Sequence, residues 1–184
     1  MTHGTPALTE LLHLWEQGDS AAFNQIFSLV YPELNRIVSH KMDHYTVSIQ
    51  TTDCLHEAYL RLMDQRCNWH NRGQFFAIAA KVICRVLADH ARQGRAKKRG
   101  AGVEHVSLDE PEIQIPCGYP DWILFDMALE KLEIADPAAS RAFQLRNLAG
   151  FSLEETATSL GISIPTVGRH VRFAKAFLAT QIPN

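Results

Sequence analysis

The chain lacks most of what would mark it as secreted, membrane-bound or enzymatic. No apolar run in its 184 residues approaches the roughly 18 that a membrane span requires. The opening residues, Met1 to Pro6, have no basic start followed by an apolar block, so no signal peptide and a cytoplasmic location are expected. Cysteine is sparse: Cys54, Cys67, Cys84 and Cys117 are scattered without a CxxC pair, which speaks against a disulfide framework or a zinc site. The 9 histidines form no HExxH pattern, and the nearest approach, His56-Glu57, lacks the second histidine. No glycine-rich phosphate loop or nucleophile elbow is present. An enzyme is therefore not expected, and no cofactor or metal is implied.

An overall basic excess is also missing, since the formal net charge is −2. The distribution is uneven, however. Between Lys81 and Arg99 stand Lys81, Arg85, Arg92, Arg95, Lys97, Lys98 and Arg99, with Asp89 the sole acid. Arg169, Arg172 and Lys175 form a second basic cluster. Acidic residues gather between the two, among them Glu104, Asp109, Asp121, Asp126, Glu130 and Glu133. A phosphate backbone responds to local charge, so two basic faces separated by an acidic stretch predict two contact sites on nucleic acid.

What the chain does have is helical periodicity almost throughout, an all-α pattern. Thr5-Pro6 opens a helix carrying Leu8, Leu11, Leu12 and Trp15, and Gly18 ends it. A long stripe follows in Phe23, Ile26, Phe27, Val30, Leu34, Ile37 and Val38. Pro32 inside that stripe predicts a kink or a break. Thr51 to Asp64 forms the third helix, and Gln74 to about Arg92 the fourth, with Phe76, Ala80, Ile83 and Leu87 inward. Phe75 and Phe76 read as core. Between these two helices lies a polar, aromatic loop, Cys67 to Gly73.

Turn formers are dense from Gly94 to Pro120, which reads as a linker. The predicted organisation is a four-helix domain over 5–95, a linker over 96–121 and a second helical domain over 122–182. In the second domain Asp136-Pro137 pairs a cap with a first-turn proline, opening a helix with Ala138, Ala142, Leu145 and Leu148 inward. Ser152 with Glu155 fits a capping box, and Ser163 caps a last helix from Ile164 to about Thr180.

A short capped helix, a glycine turn and a second, basic helix make a helix-turn-helix pattern over Ser152 to Phe177. Leu153, Ala157, Leu160, Ile162, Val167 and Val171 fall where the two helices would pack, and Gly161 suits a left-handed turn. The second helix of such a unit enters the major groove by its N-terminal end. Ser163, Pro165, Thr166, Arg169 and His170 are then near bases or phosphates, with Arg172 and Lys175 toward the backbone. Arg169 is the leading candidate for a guanine edge. The alternative is a helical hairpin with a solvated charged face.

Four segments together resemble the extracytoplasmic-function (ECF) RNA polymerase sigma factors. They are Leu14-Trp15-Glu16-Gln17-Gly18-Asp19, Asp53 to Leu62, Phe75 to Lys81, and Asp89-His90-Ala91-Arg92. The resemblance covers nearly the whole chain and implies sigma region 2, a linker and sigma region 4, in that order. It also implies that the helix bearing Asp53, His56, Glu57 and Arg61 docks on the β′ clamp helices of core RNA polymerase. The loop with Asn68, Trp69 and Asn71 would capture a base flipped from the minus-10 element of promoter DNA. Lys81, Arg85 and Arg92 would follow the opening bubble, and the last helix would read the minus-35 element. Stacking plus hydrogen bonding suits an unstacked base, although Trp69 equally suits a loop anchor.

The chain departs from the family at the start of the docking helix. Where several acids are usual, it has Gln50-Thr51-Thr52-Asp53. Phosphorylation of Thr51 or Thr52 would place nearly two negative charges at a helix N-terminus, where the dipole favours them. A serine/threonine kinase is thus one expected source of control, with an anti-sigma factor the other; the threonines as plain helix caps remain the alternative. The competing function is a stand-alone dimeric helix-turn-helix regulator with a palindromic site.

Overall fold

The computed structural model describes residues 8–42, 49–64, 71–100 and 121–182. Among these residues the chain is all α-helical, and no helix is long and apolar enough to cross a membrane. The first half comprises α1 (Leu8–Glu16), α2 (Ser20–Met42), α3 (Thr51–Met63) and α4 (Arg72–Gly100). The second comprises α5 (Trp122–Ala135), α6 (Pro137–Phe143) continuing into a π-helical segment (Gln144–Leu148), α7 (Leu153–Leu160) and α8 (Ile164–Gln181).

Apolar periodicity accounts for the first half. Leu8, Leu11 and Leu12 of α1 are buried in one core with Phe23, Ile26, Val30, Leu34 and Val38 of α2, on which α1 packs. An aromatic cluster ties in α3: the Phe23 and Phe27 rings lie 5.0 and 4.7 Å from Tyr59, whose hydroxyl donates to Asn24 Oδ1 at 2.7 Å. Phe75 and Phe76 are fully buried, as core residues.

Of the kink or break expected at Pro32, the break does not occur, and α2 runs continuously through the proline. The proline forfeits one backbone hydrogen bond, but Ile26 and Val30 before it and Leu34 and Ile37 after it are anchored in one core, which offsets that loss. Nor does α4 stop near Arg92; it continues to Gly100, past the boundary drawn at residue 95. Alanine, lysine and arginine are good helix formers, and Gly94 alone costs only about 1 kcal/mol. The linker segment 101–120 lies outside the described residues, as do Thr5 and Pro6.

In the second half, Asp136 accepts hydrogen bonds from the Ala138 and Ala139 amides and Pro137 occupies the first turn, as the sequence predicts. Ala138 is exposed rather than inward; Ala139 is buried in its place, with Ala142, Leu145 and Leu148. The two helical halves pack against each other. One hydrophobic core runs through both, with Phe76 of α4 5.6 Å from Phe151, and α4 packs on α5, on the π-helical segment and on α7.

Candidate nucleic-acid interface

The helix-turn-helix forms as the residue pattern requires. Ser152 Oγ accepts from the Glu155 amide at 3.1 Å while Glu155 Oε2 accepts from the Ser152 amide at 2.7 Å, a complete capping box. Gly161 closes α7 at φ +65°, a conformation that side chains with a Cβ rarely adopt. Ala157, Val167 and Val171 are buried with Ala142, and Leu153, Leu160 and Ile162 pack on them. A solitary hairpin would leave that stripe uncovered.

Burial of Val167, Val171, Ala174 and Leu178 fixes the rotation of α8. With about 100° per residue, Arg169 and Arg172 lie about 200° and about 140° round from Val167, on the outer face, whereas Lys175 lies about 80° round, on the flank. All three are exposed, and His170 and Thr166 are half-buried. Ser163 caps the helix, and its hydroxyl lies 2.8 Å from that of Thr166. These two hydroxyls thus hold the first turn of α8 in shape. Arg169, Arg172 and Lys175 make no ion pair with any described residue.

The basic face of α4 is built differently. Lys81 donates to Glu133, and Arg85 donates to Glu130, both on α5. Arg85 Nε also lies 3.9 Å from Asp126 Oδ1, and Arg92 Nη2 lies 3.4 Å from Asp126 Oδ2. Arg95 donates to Asp121 Oδ2 at 2.7 Å, while Asp121 Oδ1 caps α5 by accepting from the Ile123 amide at 2.8 Å. Residue numbers rise along α4 as those of their partners fall along α5, the register of an antiparallel pair. Lys81, Arg85 and Arg92, singled out in the sequence for DNA, are thus each engaged by a carboxylate.

Asn71 is likewise committed. Its Oδ1 accepts from the Gln74 amide at 2.9 Å, capping α4, and its amide nitrogen donates to the Ser159 carbonyl of α7 at 3.2 Å. Beside it, a Cβ on Gly73 would stand 2.4 Å from Ser159 Cβ. Only glycine permits α4 and α7 to come so close. Asn68 and Trp69 lie outside the described residues, as does Cys67.

On α3, Asp53 and His56 are exposed, and Glu57 and Arg61 belong to a network reaching α4. Glu57 Oε1 lies 2.6 Å from His90 Nε2, and Arg61 donates to Asp89 Oδ2 at 2.8 Å. Arg92 donates to the other Asp89 oxygen at 2.7 Å. Partial burial raises the Asp89 pKa, but the hydrogen bonds and charges of Arg61 and Arg92 outweigh it and hold the carboxyl below the ordinary aspartate value. Cys54 is buried behind this network, and burial, with lesser help from Cys84 and Glu57, pushes its thiol up to about 12. It is a packing residue, without thiolate chemistry.

The N-cap of α3 is Gln50, which makes no side-chain capping hydrogen bond, so Thr51 and Thr52 are the first two helical residues. Thr52 is exposed at the rim of an apolar groove of about 290 Å³ shared with Phe27, Tyr31, Leu55, His56 and Tyr59.

The acids of α5, together with Gly73 and Ser159, were not legible as site residues in the sequence. A signal was available: Asp126, Glu130 and Glu133 recur at four- and three-residue steps and so share one face of a helix. It becomes meaningful only once α4 and α5 are known to be neighbours.

Three comparisons bear on identity. No curated protein matches the chain. Among solved structures it is similar to CnrH, seen in complex with the cytosolic domain of CnrY, at 17% identity over 94% of each chain with a TM-score of 0.43. That likeness is too distant to inform the site. The family model described as ECF sigma factor matches residues 5–184. The chain therefore belongs to the ECF sigma factor family.

Proposed function

We propose that this chain binds core RNA polymerase through the α3 helix that carries Asp53, His56, Glu57 and Arg61, and directs it to promoters by two readers. The α8 helix reads an upstream element through Arg169, with Arg172 and Lys175 on phosphates. The loop before α4, with Asn71 and Trp69, and then Lys81, Arg85 and Arg92, engage the downstream element as it melts. The observation that carries this reading is the complete helix-turn-helix with an exposed arginine edge in a chain of this family. The first unit spans residues 5–95 with its last helix prolonged to Gly100, and the second spans 122–182.

Control by phosphorylation at the docking helix belongs to the same reading. Gln50 stands at the N-cap of α3, and Thr51 and Thr52 follow as its first two helical residues, which supports this reading. Asp53 is the sole acid of the first turn, and a phosphate there would restore negative charge where the helix dipole stabilises it.

Run-off transcription with core polymerase on a library of random promoters tests both parts. Transcripts from templates sharing two spaced elements are expected, with a Thr51→Asp chain several-fold more active than wild type. Full activity of a Thr51→Ala, Thr52→Ala chain under phosphorylating conditions sinks the switch alone. Absence of transcripts from every version, with binding to a palindromic duplex, points to a stand-alone dimeric regulator.

A further inference from the structure

We infer that the free chain is held in a self-inhibited, clasped state, in which the acidic face of α5 and the tip of α7 occupy the side of α4 that would otherwise meet promoter DNA. The inference rests on the reading of α4 given above, and it concerns how the two halves of the chain regulate each other.

Three independent observations point the same way. The first is electrostatic: Lys81, Arg85, Arg92 and Arg95 face Glu133, Glu130, Asp126 and Asp121 in continuous antiparallel register. A phosphate backbone would compete for these same cations, so DNA and α5 are mutually exclusive partners of α4. The second is steric: Gly73 brings the start of α4 against Ser159 with no room for a side chain, and Asn71 is spent on the Ser159 carbonyl. A residue proposed to meet an unpaired base is therefore covered by the other half.

The third concerns reversibility. A cavity of about 520 Å³ lies along the seam, lined by Asn71, Lys81 and Arg85 on one side and Glu133, Arg141 and Ser159 on the other. The contact thus combines a row of ion pairs beside this cavity with apolar packing of the shared core, Phe76 against Phe151 among it. The pairs of Lys81 with Glu133 and of Arg85 with Glu130 are partly exposed, and pairs of that kind are individually weak and sensitive to salt. A clasp so made holds the free chain shut and yields when core polymerase and promoter offer better partners. By contrast α8 stays uncovered, so the upstream reader is available before the downstream one is released.

The full-length chain tests this with two routes to opening. Gly73→Ala is an uncharged wedge aimed at Ser159. Glu130→Gln with Glu133→Gln removes two α5 carboxylates, which would lessen repulsion of DNA in any case, so the wedge is the deciding variant. Small-angle scattering is expected to show a larger radius of gyration for both variants than for wild type. Anisotropy with a labelled random-sequence single strand is expected to show binding about three- to tenfold tighter. Adding Ser159→Gly to Gly73→Ala removes the clash and is expected to restore wild-type compactness and affinity; direct damage to a DNA contact by the wedge would not be rescued in this way.

Unchanged radius and affinity in both variants would overturn the clasp, as would a wedge that Ser159→Gly fails to correct. Run-off transcription with core polymerase on the same preparations keeps the underlying reading separate. If wild type and variants all transcribe equally and scatter alike, the clasp fails and the sigma-factor reading stands. If the variants open but none supports transcription, the reading of α4 as a promoter contact fails, and the inhibitory meaning of the clasp with it.

Discussion

The α4 and α8 helices are both basic, and they are in opposite electrostatic states. On α8 the arginines project from the outer face without a carboxylate among the described residues. On α4 every described lysine or arginine from Lys81 to Arg95 meets an acid on α5 or, at Arg92, also Asp89. A count of basic residues in the sequence scores α4 as the stronger site. The charge left for a phosphate is nevertheless greater along α8 than along α4 from Lys81 to Arg95, where the described charges are already paired. What matters for binding is the charge left after internal pairing.

The largest effect that would break this comparison comes from its shared support. Phe76 is fully buried on α4 and touches Phe151 of the other half. Phe76→Ala is expected to cost about 3–5 kcal/mol, lowering the thermal midpoint for both halves together. Two separate transitions, with the second half unmoved, would show that the halves do not share a core.

Next in size is the contrast between readers. Arg169→Ala is expected to cost about 1–3 kcal/mol at one base pair of the upstream element and to relax the preference there. Arg172→Ala should instead weaken binding evenly and lower the salt slope of duplex binding by about 1. In the free chain, Arg85→Ala should leave that slope nearly unchanged, since Glu130 and Asp126 already engage Arg85. Titrating a labelled duplex at several salt concentrations checks all three, and an equal loss at Arg85 would contradict the contrast.

The smallest effect concerns the Asp89 carboxylate, which braces α4 against α3. Its pKa is lowered on folding, so it stabilises the folded chain above the unfolded aspartate value, ordinarily 3.8, and that contribution fades as pH falls through the lower folded value. Asp89→Asn should therefore lower the thermal midpoint at pH 7, and the difference from wild type should narrow in strong acid. A difference that grows on acidification would reverse the sign and refute the pairing with Arg61 and Arg92.

These predictions also mark which features were legible in the sequence. Ser152 with Glu155, Gly161, Asp136-Pro137 and Ser163 act within a few residues, so each could be read from its neighbours, and with them the helix-turn-helix. That α2 does not break at Pro32 and that α4 extends to Gly100 could not be read locally, because local rules give the cost of a proline or a glycine but not the packing that offsets it. The clasp was beyond reach for a different reason. Glu130 and Glu133 read as members of an acidic spacer until α5 is laid beside α4, and Gly73 reads as part of a loop until Ser159 stands against it. Pairings across the chain depend on tertiary placement, which no local pattern encodes.

The most direct test of the two-reader account is promoter selection by core polymerase from a random library, with wild type beside Arg169→Ala. The account predicts two spaced elements for wild type, and for the variant a changed or relaxed upstream element with the downstream element intact. Loss of both elements together, or a single palindrome in their place, would contradict it.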